Sequence, residues 1–148
     1  MRSKESVAVW MCVTVLAVLI PGLIQQVLFA QAAASSTRDG VYTAEQAGQG
    51  KVLYQKQCAS CHGNALEGHG KNVPLAGDVF LDKWTDQTMA DLFMKTNATM
   101  PASDPGTLTP DETARVLAYI LSMNKFQPGK NPLPTDPDGL GAIRIAKP

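Results

Sequence analysis

The sequence has no excess of charge of either sign and contains little cysteine or histidine. Its 148 residues hold 13 Lys and Arg against 13 Asp and Glu, so nothing indicates a nucleic acid or an acidic substrate as partner. Of its three cysteines, two stand three positions apart, which excludes a disulfide framework if both bind one group. The length predicts a single domain once a leader is removed.

The stretch Cys58-Ala59-Ser60-Cys61-His62 is the most specific motif in the chain. Two thiols at this spacing project from one short helical turn and can form thioethers to the two vinyl groups of one haem. His62 would then place an imidazole under the iron, where histidine is a strong axial ligand. The motif therefore predicts one covalently attached haem c.

Half of a zinc site or a thioredoxin-type redox pair is the alternative interpretation of the same motif. A structural zinc site needs about four protein ligands, and beyond the motif the chain offers only His69 and Cys12. His69 stands in a glycine-rich loop and is interpreted as a surface histidine, whereas Cys12 falls in a predicted leader. No βαβ pattern surrounds the motif, which argues against a redox pair.

Residues 1–32 are predicted to be a secretory signal peptide. A basic start precedes an apolar run from Val7 to Ile20, and small-x-small cleavage candidates follow within residues 30–34. Export predicts a periplasmic protein with no stable membrane insertion if the leader is cleaved. The alternative is a membrane tether, because an uncleaved segment would approach the ~20 apolar residues of a spanning helix.

Capping residues predict two long helices. Thr43 is the predicted N-cap of a helix over about 44–56, with Gln46 as its capping-box partner. Thr109 precedes Pro110, and Glu112 lies three residues after Thr109, so a second helix is predicted to run to about residue 124. Between them, Thr85 is the predicted N-cap of a shorter helix that directly follows Trp84 and buries Met89, Leu92 and Phe93.

Met100 is the predicted second iron ligand. It stands 38 residues after His62, is followed by Pro101, and is the only methionine predicted to lie in a loop. Of the other five, two belong to the leader and three to predicted helices, namely Met1, Met11, Met89, Met94 and Met123. A thioether from a loop can fold over the haem face opposite the histidine, and it is a soft ligand suited to reduced iron.

Together these motifs resemble class I c-type cytochromes over residues 48–124. Gly50 and Tyr54 stand at that family's offsets before the first motif cysteine, and Tyr119 matches the aromatic residue that meets them where the terminal helices cross. Glycine costs up to about 1 kcal/mol in a helix, so both Gly48 and Gly50 are expected to permit close helix packing. The resemblance implies a small all-α fold of three to five helices around one covalent haem.

The implied organisation is a signal peptide (1–32), a linker (33–42), a cytochrome c domain (43–126) and a Pro/Gly-rich tail (127–148). Proline and glycine rule out a long helix in the tail, which is either disordered or wrapped around the domain. Four apolar residues favour docking: Leu133, Leu140, Ile143 and Ile145.

The resemblance also implies roles for residues around the haem. The Pro74 carbonyl would accept a hydrogen bond from His62 Nδ1, which fixes the ring and raises its basicity. Leu75 would pack on the haem edge. Trp84 would donate to a haem propionate, with an ordinary core tryptophan as the alternative. With His62 and Met100 on the iron, both axial positions are filled and the protein is expected to be an electron carrier, not an enzyme.

The implied function is transfer of single electrons from a periplasmic dehydrogenase toward a terminal oxidase. The amino-acid sequences of several segments, such as Thr99-Met100-Pro101, resemble those of cytochromes that accompany bacterial quinoprotein (PQQ) alcohol dehydrogenases. Two alternatives remain: a tightly bound haem subunit of a dehydrogenase complex, or a haem enzyme or ligand sensor whose methionine leaves the iron. No distal Arg–His pair is apparent, which argues against a peroxidase.

Overall fold

The computed structural model describes residues 35–148, and these form six α-helices, one short 3-10 helix (Thr37–Asp39) and one two-stranded sheet. The helices are α1 (Ala44–Gln57), α2 (Ala59–His62), α3 (Asp78–Trp84), α4 (Met89–Thr99), α5 (Pro110–Met123) and α6 (Pro137–Gly141), and the strands are β1 (Ser35–Ser36) and β2 (Ile143–Arg144). This mostly helical architecture confirms the predicted small all-α fold. The predicted leader, with Cys12 and its cleavage sites, lies outside the described residues. Within residues 35–148, no helix has the length and apolar character needed to cross a membrane.

Helices α1 and α5 form the main helix pair of the fold. Gly50 is buried at their crossing, where an added Cβ atom would stand 1.8 Å from the Arg115 carbonyl oxygen and 3.1 Å from Tyr119 Cβ. The rings of Tyr54 and Tyr119 meet with centroids 5.3 Å apart. The predicted crossing is confirmed. Gly48 is different, because no atom of the described chain lies within 4 Å of its would-be Cβ, so packing does not explain this glycine.

The predicted helix caps are partly confirmed. Thr109 and Glu112 form the expected capping box at the start of α5. Thr43 also caps α1, accepting a bond from the Gln46 N–H at 3.1 Å, but the Gln46 side chain does not complete a capping box. Instead it is buried against the tail: its amide nitrogen donates to the Leu133 carbonyl at 3.1 Å, and its oxygen accepts from the Leu133 N–H at 2.8 Å. The Gln46 amide is therefore unavailable for a capping box, because it satisfies the buried N–H and carbonyl of Leu133 in the tail.

The predicted start of the third helix is wrong. Trp84 is the last residue of α3, and α4 begins at Met89 with Thr88 as its N-cap. The helical path ends at Thr85, whose ψ of 140° is extended, and Asp86 follows in the left-handed region with a φ of +69°. Thr88 and Asp91 then form a capping box, with aspartate in place of the Glu or Gln typical of that position. The predicted buried stripe of α4 is present, since Met89, Leu92 and Phe93 are all buried.

The tail docks onto the rest of the described chain. All four apolar residues that favoured docking are buried, at 1–5% exposure: Leu133, Leu140, Ile143 and Ile145. Residues 133–148, called the C-terminal strap below, contain α6 and then β2, which pairs in parallel with β1. The chain preceding α1 is also part of the core, because Thr37 and Tyr42 are 0% and 1% exposed.

Candidate functional site

The Cys58–His62 motif occupies the corner between α1 and α2. The Cys58 N–H donates to the Tyr54 carbonyl at 2.8 Å and so closes α1, while the Cys58 carbonyl accepts from the His62 N–H at 2.9 Å. The second cysteine, Cys61, lies one turn further on, within α2. Both thiols are free. The motif therefore presents two free thiols and an imidazole from a single short helical turn.

One cavity of about 350 Å³ gathers the predicted haem residues. Cys58, Cys61, His62 and Met100 all line it, although Met100 is 38 residues away from His62 in the chain. Its walls are otherwise largely apolar, with contributions from Leu75, Phe80, Trp84, Leu92, Leu108, Val116 and Ile120. Two thiols, an imidazole and a thioether facing one apolar cavity are a donor set that fits a covalently bound haem.

The imidazole of His62 is buried and held by a backbone carbonyl. Its Nδ1 lies 2.9 Å from the carbonyl oxygen of Val73. A carbonyl can only accept, so Nδ1 carries the proton and Nε2 keeps a free lone pair for a metal. The prediction that the Pro74 carbonyl accepts this bond is wrong. In extended backbone successive carbonyls point in opposite directions, so an offset of one residue selects a different acceptor.

A buried asparagine holds the segment that supplies this carbonyl. Asn124, at the C-terminal end of α5, donates through Nδ2 to the Leu75 carbonyl at 2.9 Å and accepts from the Gly77 N–H at 3.0 Å. It is 3% exposed. This role was not predicted from the sequence, in which Asn124 marks only the end of a helix. A polar residue at the end of an otherwise apolar helical face was the available signal.

Met100 caps the C-terminal end of α4. Its N–H donates to the Thr96 carbonyl at 2.9 Å, and the residue is half-buried. None of the other methionines of the described chain lines the cavity: Met89 is fully buried in the core, while Met94 and Met123 are 59% and 36% exposed. Within residues 35–148, Met100 is therefore the one thioether placed to reach a group bound in the cavity.

Trp84 lies in the cavity wall at 8% exposure. Its ring packs near Phe80, with centroids 6.5 Å apart, and the Lys83 ammonium lies 5.3 Å from the ring centroid. Its predicted bond to a haem propionate stays a prediction. His69 is exposed and is not among the residues that line the cavity.

The cavity is electrostatically one-sided. Lys71, Lys83 and Lys95 line it, and all three are exposed. No Asp or Glu of the described chain lines the same cavity, although the whole sequence has equal numbers of basic and acidic residues. The side chains that line the cavity therefore carry a net positive charge.

Burial also keeps Cys58 protonated in the haem-free chain. Loss of solvent, with a smaller contribution from the neighbouring Cys61, raises the pKa of the Cys58 thiol to about 11. A protonated thiol is a poor nucleophile.

The chain is similar in sequence to known cytochromes and in fold to one solved structure. A family model described as "Cytochrome C oxidase, cbb3-type, subunit III" matches residues 45–120. Cytochrome c-551 of Bacillus subtilis (strain 168) is 29% identical over 116 residues, which cover 74% of this chain and 96% of that relative. Among solved structures, the sulfane dehydrogenase SoxCD from Paracoccus pantotrophus is similar with a TM-score of 0.50 and 23% identity, over 63% of this chain. This chain spans 52% of that SoxCD chain, and the likeness concerns the fold alone.

Proposed function

Because the chain belongs to the cytochrome c family described as cytochrome C oxidase, cbb3-type, subunit III, we propose that it carries single electrons from a periplasmic dehydrogenase toward a terminal oxidase. It is a class I c-type cytochrome, and membership of this family implies covalently bound haem c. Beyond family membership and haem c, we propose the direction of electron transfer, the export of the protein and the residues that hold the haem. The observation that carries it is the convergence of the Cys58–His62 motif and Met100 on one apolar cavity.

In this proposal the motif residues, Met100 and the Val73 carbonyl have defined roles. Cys58 and Cys61 attach the haem through thioethers, His62 is the proximal ligand and Met100 the distal ligand. When bound, the haem supplies a one-electron Fe(II)/Fe(III) couple, whose potential Met/His ligation raises relative to other axial sets. The Val73 carbonyl keeps the His62 ring in one orientation and one tautomer. The apolar walls keep water away from the two axial ligands.

The basic rim supports a partner with an acidic face. Lys71, Lys83 and Lys95, called the basic rim, line the cavity without a compensating carboxylate among its lining residues. Exposed charges of one sign steer an oppositely charged partner toward the site and raise the rate of encounter. We therefore propose that the redox partners of this protein present carboxylates around their own electron-exchange site.

Haem attachment is tested by staining a denaturing gel for haem. The wild-type band should keep its haem, and Cys58→Ala or Cys61→Ala should sharply lower the yield of holoprotein. Cys12→Ser, in the predicted leader, is the matched control and should leave the yield unchanged. Haem that acid acetone extracts from the wild-type protein would contradict covalent attachment through these two residues.

The ligand set is tested on the ferric holoprotein by the weak near-infrared charge-transfer band of methionine-ligated haem iron. Met100→Ala should abolish the band, lower the reduction potential and open the iron to carbon monoxide or cyanide. Met94→Leu, an exposed methionine on the same helix, should leave the band in place. Rapid binding of carbon monoxide by the reduced wild-type protein at neutral pH would favour a ligand sensor or enzyme over an electron carrier.

A bound subunit is the second candidate function, because the matching family model is described as a subunit of an oxidase. A free carrier should purify as a single small chain. A large catalytic chain, such as a quinoprotein dehydrogenase, that remains associated through purification at high salt would support the subunit function instead.

A further inference from the structure

We propose that the C-terminal strap is a positioning element for Met100, acting through the turn between α3 and α4. The proposal rests on the proposed role of Met100 as the distal ligand. It assigns a task to a segment of sixteen residues, 133–148, which contributes no residue to the cavity lining.

The strap bonds to the α3–α4 turn in both directions. The Asp86 N–H donates to the Ile145 carbonyl at 2.9 Å, and the Ile145 N–H donates to the Gln87 carbonyl at 2.9 Å. The Arg144 guanidinium adds a bond to the Asp86 carbonyl. Asp86 is the residue with the left-handed backbone that separates the two helices. The strap therefore holds the short turn in which the path from α3 to α4 changes direction.

Both ends of this turn lead directly to the cavity. Trp84, two residues before Asp86, forms part of the cavity wall. Helix α4 starts at Met89, contributes Leu92 to the wall and is capped by Met100. A helix rises about 1.5 Å per residue, so α4 is about 16 Å long and a tilt of a few degrees moves its far end by about 1 Å. Fixing its first turn therefore restricts where Met100 can lie.

The strap can do this because it is fixed elsewhere as well. Strand β2 pairs with β1, and the Ala146 N–H donates to Thr37 Oγ1 at 3.0 Å, while Thr37 is fully buried. At its other end Leu133 exchanges two hydrogen bonds with Gln46 of α1. Helix α6 of the strap also contacts α4 directly. The ion pair between Lys147 and Asp82 is exposed and contributes little.

The experiment removes only the part of the strap that bonds to the turn. A chain ending at Ala142 loses β2 and Ile145 but retains Leu133 and α6. We expect the haem to remain attached and the near-infrared methionine band of the ferric protein to weaken. The rate of carbon monoxide binding to the ferrous protein should rise about tenfold, because that rate follows the fraction of molecules with methionine off the iron. Ile145→Pro, which removes the N–H donor to Gln87 and also replaces the buried Ile145 side chain, should shift both readouts in the same direction and serves if the shortened chain does not fold.

Leu133→Ala is the matched control. It removes a buried aliphatic side chain of the same strap, at 2% exposure, but keeps the backbone bonds that anchor Leu133 to Gln46. It should therefore lower thermal stability without changing the band or the carbon monoxide rate. If the shortened chain and Ile145→Pro keep wild-type band intensity and rate, the strap only stabilises the fold and the proposal is overturned. The proposal is also overturned if Leu133→Ala changes the band and the carbon monoxide rate as much as the shortened chain and Ile145→Pro do.

Met100→Ala separates this proposal from the proposed ligand set. If Met100→Ala leaves the band in place, Met100 is not the ligand, and both proposals fall. If Met100→Ala abolishes the band while the shortened chain retains it, only the positioning role is overturned.

Discussion

Gly50 of α1 lies directly against the backbone of Arg115 in α5. A Cβ atom on Gly50 would stand 1.8 Å from the Arg115 carbonyl oxygen, closer than any real contact allows. The two helices can approach this closely only because no side chain intervenes. The contact also brings Tyr54 and Tyr119 together one turn away, and the Tyr54 hydroxyl donates to the Gly63 carbonyl at 2.7 Å, just past the Cys58–His62 motif. The crossing thus supports the site as well as the core.

Gly50→Ala should destabilise the holoprotein. Its new methyl group would overpack the crossing, which typically costs about 1–3 kcal/mol in free energy of unfolding. The measurement is the midpoint of denaturant unfolding at an unchanged slope. Gly48→Ala is the matched control two residues away in the same helix: nothing lies within 4 Å of its Cβ position, so it should stabilise by up to about 1 kcal/mol. Equal effects of the two substitutions would show that the crossing is not tightly packed.

Gln46→Leu should also destabilise the fold, for a different reason. Gln46 satisfies both the N–H and the carbonyl of the buried Leu133, so its loss leaves two buried polar groups without partners. Each unsatisfied group costs about 1–3 kcal/mol. Gln49→Leu is the control, because the exposed Gln49 amide bonds only to Glu45 on the surface. Thermal unfolding of the two variants side by side distinguishes a buried clamp from a general loss of helix solubility.

Removing the capping carboxylate of α5 should produce a pH-dependent loss of stability. Two hydrogen bonds from Thr109 lower the pKa of Glu112 below its ordinary value of 4.5. A carboxyl whose pKa is lowered by folding stabilises the protein above its unfolded pKa, and this contribution is lost as the pH falls through the folded value. Glu112→Gln should therefore cost about 0.5–1 kcal/mol at pH 7, and the difference should shrink below pH 4. Glu45→Gln, in the first turn of α1 but bonded only to Gln49, should show a smaller difference across the same range.

Reversing a rim charge should slow electron exchange with anions. At low ionic strength, Lys95→Glu should lower the rate of oxidation of the reduced protein by hexacyanoferrate(III) several-fold, and the difference should fade as salt screens the charges. Lys130→Glu changes the net charge equally but lies in the tail, away from the cavity lining, and should have a smaller effect. If both variants slow the reaction equally, net charge matters and the rim does not.

The sequence by itself determined the family, the all-α fold and the cofactor. These depend on local patterns: Cys58–His62 holds two thiols and an imidazole within five residues, and Thr109 with Glu112 marks a helix start through residues three apart. The same chemistry applies wherever such a stretch occurs, so no knowledge of distant segments is needed. The same local reasoning, that a helical glycine needs a compensating contact, applied to Gly48 and Gly50 alike, and only Gly50 has the contact.

Only the tertiary structure decided which distant groups complete these patterns. The His62 ring bonds to the carbonyl of Val73 and not to that of Pro74. The Gln46 side chain bonds to Leu133 and not to the start of its own helix, and Asn124 bonds to the loop beside the cavity. Each choice depends on where two segments come to lie in space after the core has packed. A buried polar group must take whichever partner packing brings within hydrogen-bonding distance, and that partner leaves no mark in its neighbours along the chain.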